Sequence, residues 1–370
     1  MNSRQRVLNV LNHRIPDRVP IDLGGFLSGT HRKAYVELIN YLGIEDELKI
    51  LDPVQQLALP CEELLQRLHA DIRYINLNQS FEQQIQDSFE DEFGVIWTID
   101  NQQQNYMNIS HHPLADASEA EIEKYTFPDV NKIQDFSYIR QNALTISRNG
   151  SYALSASIGG SIFESCSNLR GAERWFMDTK ENPAFCEVLM DKMLEYWTGF
   201  YTGLLKEISD IVDIVIIGDD LTGQNGPLFS PDFYRNMLKP RQKTLVQHIK
   251  SLTKAKICYH TCGSCFDFIP ELIDIGIDIL NPIQIGLKNM EPKRIKDTFG
   301  KQISLWGGAI DSLKFLACSE HGQIRQEVRK NIEIFKPGGG YIFSPTHNIQ
   351  FDIPPENIVE LFDAAYEFGS

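Results

Sequence analysis

Residues 256–263 read Lys-Ile-Cys-Tyr-His-Thr-Cys-Gly, a short and mostly apolar run that ends in a histidine, a cysteine and a glycine. Such a run predicts a buried parallel strand, and the glycine predicts the start of a loop. His260 and Cys262, two residues apart at a strand end, are suitable ligands for one zinc ion. The alternative is a core histidine beside a buried thiol.

The same kind of run recurs along the chain, and longer helical segments separate the runs. Strands are predicted at 19–23, 72–77, 152–158, 212–217, 256–260, 277–282, 303–307 and 341–344. Helices are predicted at 32–42, 182–208, 231–238, 240–252, 265–275 and 355–368. Eight strand–helix units predict an α/β fold, a (β/α)8 TIM barrel, as one domain over residues 1–370. A doubly wound sheet is the alternative, but its Gly-x-Gly-x-x-Gly turn is absent.

Residues 78–149 do not fit a single unit of this pattern. Residues 93–97 are typical of a strand near a turn, and residues 111–114 of a loop. We expect an insertion after the second strand, which would form a lid or wall over the barrel mouth.

The overall composition limits the possible partners. The 370 residues carry a net charge of −15, which argues against nucleic acid and against anionic lipid as partners. The sequence has no apolar run of transmembrane length, and its polar start lacks the core of a signal peptide. Seven cysteines, an odd number, do not suggest a disulfide framework. These features predict a cytoplasmic protein with reduced thiols.

Functional groups of barrels collect at the carboxyl ends of the strands. His347 follows the eighth predicted strand, so it is the candidate third ligand beside His260 and Cys262. Three protein ligands with an open fourth position are typical of catalytic zinc. The metal could activate a bound thiol or water, or act as a Lewis acid on a substrate oxygen. Cys265 is either a spare ligand or a residue of the next helix, and we favour the helix.

Other polar residues follow the remaining strands. Asp219 and Asp220 come after the fourth strand and are the candidate catalytic residues, as proton acceptors or substrate-orienting groups. The alternative is that one of them caps the next turn. Asn225, Gln284 and Glu164 follow the fourth, sixth and third strands and are candidate substrate-binding residues.

The chain resembles the uroporphyrinogen decarboxylase superfamily, and within it the branch of corrinoid-dependent methyltransferases. The motifs that carry this resemblance run nearly from end to end. They are residues 3–7 with 16–20, 127–129, 218–221, 230–231, 259–263, 278–284, 306–308 and 354–357.

The resemblance implies a TIM barrel and a zinc site. In the methyltransferase branch zinc lies on a His-x-Cys pair and a later cysteine; His260 and Cys262 match the pair, and His347 stands where the branch has its cysteine. The decarboxylases use no metal and bind a porphyrinogen through an arginine-rich N-terminal loop. Residues 22–27 replace that loop here and contain no arginine. Porphyrinogen decarboxylation therefore ranks below methyl transfer.

The sequence thus predicts a zinc-dependent methyltransferase of one-carbon metabolism. It would move a methyl group between a small methylated substrate, for example a methoxylated aromatic, and a separate corrinoid protein. The chain itself lacks the corrinoid-binding Asp-x-His-x-x-Gly motif. Two alternatives remain: a metal-free carboxy-lyase of the uroporphyrinogen decarboxylase type, and a non-catalytic binding protein on a barrel scaffold.

Overall fold

The computed structural model describes residues 1–78, 81, 86–99, 106–157, 159–312, 316 and 322–370. In chain order the strands are β1 (Thr30–His31), β2 (Ile50–Asp52), β3 (Leu57–Ala58), β4 (Ile72–Tyr74), β5 (Ser88–Glu90), β6 (Ile96–Thr98), β7 (Asn108–His111), β8 (Ala153–Ser157), β9 (Ile214–Gly218), β10 (Thr222–Gly223), β11 (Gly226–Pro227), β12 (Lys256–His260), β13 (Ile279–Ile283), β14 (Ser304–Gly307) and β15 (Tyr341–Ile342).

The helices alternate with the longer strands, as the sequence predicts. They are α1 (Ser3–Leu11), α2 (Arg32–Leu42), α3 (Glu62–Arg67), α4 (Glu119–Lys124), α5 (Val130–Ile133), α6 (Phe136–Asn149), α7 (Phe163–Arg170), α8 (Ala172–Glu181), α9 (Pro183–Ile208), α10 (Pro231–Phe233), α11 (Lys239–Leu252), α12 (Ile269–Ile275), α13 (Pro292–Phe299), α14 (Gln323–Phe335) and α15 (Pro355–Gly369). A π-helical turn (Tyr234–Leu238) joins α10 to α11, and a 3₁₀ turn (Phe266–Phe268) precedes α12. No described helix is long and apolar enough to cross a bilayer.

Seven strands form one parallel sheet in the order β4-β8-β9-β12-β13-β14-β15. The predicted first strand, residues 19–23, lies between the two edges of this sheet. Phe343 N donates to Pro20 O at 2.9 Å, and Asp71 N donates to Ile21 O at 2.7 Å. These bonds are too few for a regular strand, but they connect β15 to β4. The predicted α/β fold, a TIM-like barrel, is thereby confirmed.

Alternate residues of the strands face the inside of the barrel, where they pack on α1. The inner cluster includes Ile216, Cys258 and Trp306 together with Val10 and Leu11 of the helix. Helix α1 therefore closes the amino-terminal end of the barrel. The opposite end stays open for the loops that follow the strands, which is the functional end in barrels of this kind.

A buried ion network holds α1 against the barrel. The carboxylate of Asp71, which is fully buried, accepts hydrogen bonds from Arg6 and Arg18 at 2.7 Å each. It also accepts a bond from the backbone N of Ile21 at 2.9 Å. Since a buried charge is costly without partners, these contacts tie the helix, the closing segment and β4 to one another.

Within its described residues the predicted insertion contains the strands β5, β6 and β7 and the helices α4, α5 and α6. Strands β5, β6 and β7 form a small antiparallel sheet. Helix α6, by contrast, buries Ile139 and Ala143 and packs on α9, so it belongs to the outer helical layer. The strand expected at residues 93–97 begins only at Ile96, because Gly94 has a positive φ of 77° and forms a turn.

Candidate active site

His260 and Cys262, the first two candidate metal ligands, lie at the end of β12. His260 pairs with Gly218 of β9 on one side and Asn281 of β13 on the other. Its Nδ1 lies 2.7 Å from Asn281 Oδ1, which orients the ring, and its Nε2 lies 3.5 Å from Cys262 Sγ. Gly218 permits this close approach, since a Cβ there would lie 2.6 Å from His260 O.

Asp220 joins this pair as a third donor. One ligand atom each of Asp220, His260 and Cys262 lies within 4.8 Å of the other two. Asp220 Oδ1 also accepts a hydrogen bond from Cys262 N at 2.8 Å, which holds the loop after β9 against the loop after β12. The result is a carboxylate, an imidazole and a thiol at the open end of the barrel. We call these three residues the donor group.

Side chains from neighbouring loops hold the residues around Cys262. Thr261 Oγ1 accepts from Leu221 N at 3.0 Å, and Gly263 N donates to Gln284 Oε1 at 2.6 Å. Gly263 has a φ of +96°, and a Cβ on it would lie 2.5 Å from Thr222 O. Only glycine fits there. Gln284, predicted to bind substrate, therefore supports the loop that carries Cys262.

Asp219 is surrounded by donors of the protein itself. Its carboxylate accepts hydrogen bonds from Ser161 Oγ at 2.5 Å, Gln242 Nε2 at 3.2 Å, and the backbone N atoms of Ile162 and Glu164 at 3.1 and 2.9 Å. Burial raises its pKa, while these hydrogen bonds act in the opposite direction. The geometry gives Asp219 a positioning role at the start of α7, with Asp220 left to face the mouth.

The mouth around the donor group is rich in negative charge. Glu164 is exposed at this mouth, but the surrounding protein still desolvates its carboxyl group and raises its pKa to about 8; the charges of Asp220 and Asp219 add to this. Burial also raises the pKa of Cys262 well above its usual range, and Asp220 and Glu164 add to that shift. A divalent cation would reverse both effects, so these residues fit a metal ion.

His347 lies beside the donor group but is not one of the three. Its Nδ1 is 3.3 Å from Asn348 O and 3.4 Å from Gln350 Nε2. Burial lowers its pKa, and the charge of His260 has a smaller effect in the same direction. His347 is thus close to the donor group, as the sequence predicts for a residue at another strand end.

The predicted insertion contributes Tyr106 to the same mouth. Its ring contacts that of His347 edge to face at 6.4 Å, and its hydroxyl accepts from Gln350 Nε2 at 3.3 Å. Burial raises its pKa to about 12, so the phenol stays protonated, and the charge of Cys262 is one of the further causes. Nothing in the local sequence distinguishes Tyr106 from other tyrosines, so sequence reasoning missed it.

Two further residues with predicted or possible roles are not part of the donor group. Asn225 is exposed in the turn between β10 and β11, and its role in substrate binding stays a prediction. Cys265 is fully buried in the apolar core just before the 3₁₀ turn, which favours the helix alternative over a spare ligand.

A family model and the curated relatives agree on the family. Residues 101–368 match the family model for uroporphyrinogen decarboxylase (URO-D). A uroporphyrinogen decarboxylase of Ruthia magnifica is 26% identical over 54% of this chain and 55% of its own length. One of Pseudomonas syringae is 25% identical over 68% of this chain and 69% of its own length.

The fold has a counterpart among solved structures. A methyltransferase from Methanosarcina mazei superposes over the full length of both chains with a TM-score of 0.71 at 16% sequence identity. At that identity the likeness shows the fold alone. The match to the family model covers well over half of the chain, and the protein therefore belongs to the uroporphyrinogen decarboxylase family.

Proposed function

We propose that this protein is a zinc-dependent methyltransferase that moves a methyl group between a small methylated substrate and a corrinoid carried by a partner protein. The observation that carries the proposal is the donor group, in which ligand atoms of three residue types that bind zinc lie within 4.8 Å of one another at the barrel mouth. The resemblance to the corrinoid-dependent branch supports the choice of reaction.

The donor group has the features of a metal site rather than of a chance cluster. Asn281 orients His260 through Nδ1, which is the usual second-layer contact of a metal-binding imidazole. Zinc bound there would act as a Lewis acid toward the heteroatom that carries the methyl group. His347 is the additional ligand predicted from the sequence, and it remains a candidate because the charges of His260 and Asp220 both act on its imidazole.

The remaining residues of the mouth would orient the substrate and supply a proton. When the methyl group leaves, the electron pair of the broken bond stays on the heteroatom. The phenol of Tyr106, which stays protonated at neutral pH, can donate a hydrogen bond or proton to that atom, and Glu164 can orient the substrate. Asp219 and Gln284 act indirectly, because they hold the loops that carry these groups.

The decarboxylase alternative finds less support in the mouth. The curated relatives carry that name, but a porphyrinogen polycarboxylate needs several cationic partners. The loop at residues 22–27 has no arginine, and the mouth instead presents the carboxyl groups of Asp219, Asp220 and Glu164. Turnover of uroporphyrinogen by the metal-free protein would favour this alternative. The non-catalytic alternative predicts turnover of neither substrate.

Metal content tests the site. We expect about one zinc per chain in protein purified without added metal, and less than half of that in His260→Ala. His248→Ala serves as a control, because His248 lies on α11 with a Thr202 contact of 2.8 Å. The zinc contents of Asp220→Asn and His347→Ala show which of these two residues is the third ligand. Wild-type protein with less than half an equivalent, or His260→Ala with unchanged content, would contradict the proposal.

Methyl transfer tests the reaction. Free cob(I)alamin can stand in for the corrinoid protein, and its conversion to methylcobalamin is followed by absorbance with methoxylated aromatics as donors. We expect conversion by wild-type protein, and a loss of at least a hundredfold in His260→Ala. Equal rates in the two proteins would show that the donor group takes no part.

A further inference from the structure

A cavity opens between the loops that follow the first strands of the barrel. It has a volume of about 350 Å³, and its lining includes the aromatic side chains of Phe26, Tyr74, Tyr196, Trp197 and Phe200. The ring of Trp197 lies under Gly159, where a Cβ would lie 2.7 Å from the indole. An aromatic cavity of this size suits a small, flat or compact organic molecule.

Two carboxyl groups line the same cavity. Asp52 is only 7% exposed, and its oxygens accept hydrogen bonds from neutral donors, Val54 N at 2.8 Å and Gln55 Nε2 at 3.0 Å. Glu92 is exposed on another side. Neither forms an ion pair within the described part of the chain. Burial raises the pKa of Asp52 to about 6, so it is mostly ionised at neutral pH without a countercharge.

Among the described residues, no cationic side chain pairs with these carboxylates. The described lining contains no lysine or arginine. The sequence has neither residue between Arg73 and Lys124, the stretch that provides this side of the cavity. Arg73 itself is committed elsewhere: it pairs with Glu62 at 2.8 Å and lies over the ring of Tyr152 at 3.6 Å. The cavity therefore combines aromatic faces with uncompensated negative charge.

A hydrogen bond links the lining of the cavity to the segment that carries His347. Phe26 O accepts a hydrogen bond from Asn348 Nδ2 at 3.2 Å, and Asn348 directly follows His347. Tyr106, whose ring contacts that of His347, is held close to the segment that carries Asp52, because Met107 N donates to Val54 O at 2.8 Å. A molecule seated among the aromatic rings could thus extend toward the donor group.

We propose that this cavity binds an organic cation, a small molecule with an ammonium group on an apolar body. The rings would hold the cation by cation–π attraction, and its ammonium group would be the countercharge that Asp52 now lacks. This inference rests on the proposed function in one respect. If the protein is a methyltransferase, its substrate is a methyl ether or thioether that also carries an ammonium group. The cation-binding property itself does not depend on the metal.

Binding calorimetry with three ligands of matched size tests this inference. We use phenethylammonium, 2-phenylethanol and phenylacetate, which differ chiefly in the charge of the polar end. We expect phenethylammonium to bind at least tenfold more tightly than 2-phenylethanol, and phenylacetate to bind least. Equal affinity for the first two, preference for phenylacetate, or no binding of any ligand would overturn the inference.

Variants show where the selectivity arises. Asp52→Asn should lower the affinity for phenethylammonium at least tenfold and leave 2-phenylethanol within twofold. Glu92→Gln, an exposed site that does not endanger folding, should give a smaller loss in the same direction. Glu37→Gln removes one exposed charge from α2 and should change nothing. Equal losses in Asp52→Asn and Glu37→Gln would show a general effect of charge and would overturn the inference.

The two proposals can fail separately. His260→Ala should bind phenethylammonium as the wild type does, because the cation site lies outside the donor group. Cation binding without metal or methyl transfer would refute the proposed function alone. Methyl transfer without cation selectivity would refute this inference alone.

Discussion

Asp22 places a carboxyl group inside the barrel, below the mouth. Its Oδ2 accepts hydrogen bonds from Ser28 at 2.5 Å and Tyr74 at 3.0 Å. Burial raises its pKa to about 7, so the folded protein holds this proton more tightly than the unfolded chain does. The free energy of unfolding should therefore fall, through this residue, as the pH rises from about 4 to 7.

Asp22→Asn should remove that dependence. The free energy of unfolding of the variant, relative to that of the wild type, should rise between pH 4.5 and pH 8 by about 3 kcal/mol. Denaturant unfolding at the two pH values measures this difference. Asp116→Asn, at an exposed position, should show no such growth. A constant difference between Asp22→Asn and the wild type would mean that Asp22 is ionised throughout.

At the residue scale, the sequence predicts some site residues better than others. His260 and Cys262 could be predicted, because the two residues lie close together in one strand end. Asp220 could be placed at the mouth but not assigned to the metal group, since its distance to Cys262 depends on the pairing of β9 with β12. Tyr106 reaches the mouth from a distant segment, and no local pattern reveals this.

Helix α1 shows how one element completes the barrel. Leu11 is 3% exposed in the inner cluster, whereas Leu8 on the same helix is only half-buried. Leu11→Ala should lower the free energy of unfolding by about 2–5 kcal/mol, because it leaves a cavity beneath the barrel. Leu8→Ala should cost clearly less. Chemical denaturation compares them, and equal losses would contradict the packing of α1 described above.

At the element scale, prediction succeeds where signals are local. Helix α9 begins at Pro183 with Asn182 as its cap, as its proline and amphipathic pattern indicate. Helix α1 also has a local signal, the capping box of Asn2 and Gln5, but its position under the barrel depends on contacts far along the chain. The segment 19–23 lies where predicted but forms too few bonds for a regular strand.

At the scale of the whole molecule, the number of strand–helix units predicts the barrel, because few folds accommodate eight of them. The arrangement of the mouth could not be predicted in the same way. The aromatic cavity, Tyr106 and the donor group come from loops after different strands, and only closure of the barrel brings them together. Some of the acidic residues that make the net charge negative lie at this mouth.

X-ray absorption at the zinc edge of the purified wild-type protein tests whether the donor group binds zinc. We expect about one zinc per chain with a single sulfur neighbour at about 2.3 Å and the remaining neighbours nitrogen or oxygen. Cys262→Ser should lose the sulfur signal, and Cys265→Ser should keep it. A spectrum without sulfur, or one with two sulfur neighbours that loses one in Cys265→Ser, would contradict the donor group of Asp220, His260 and Cys262.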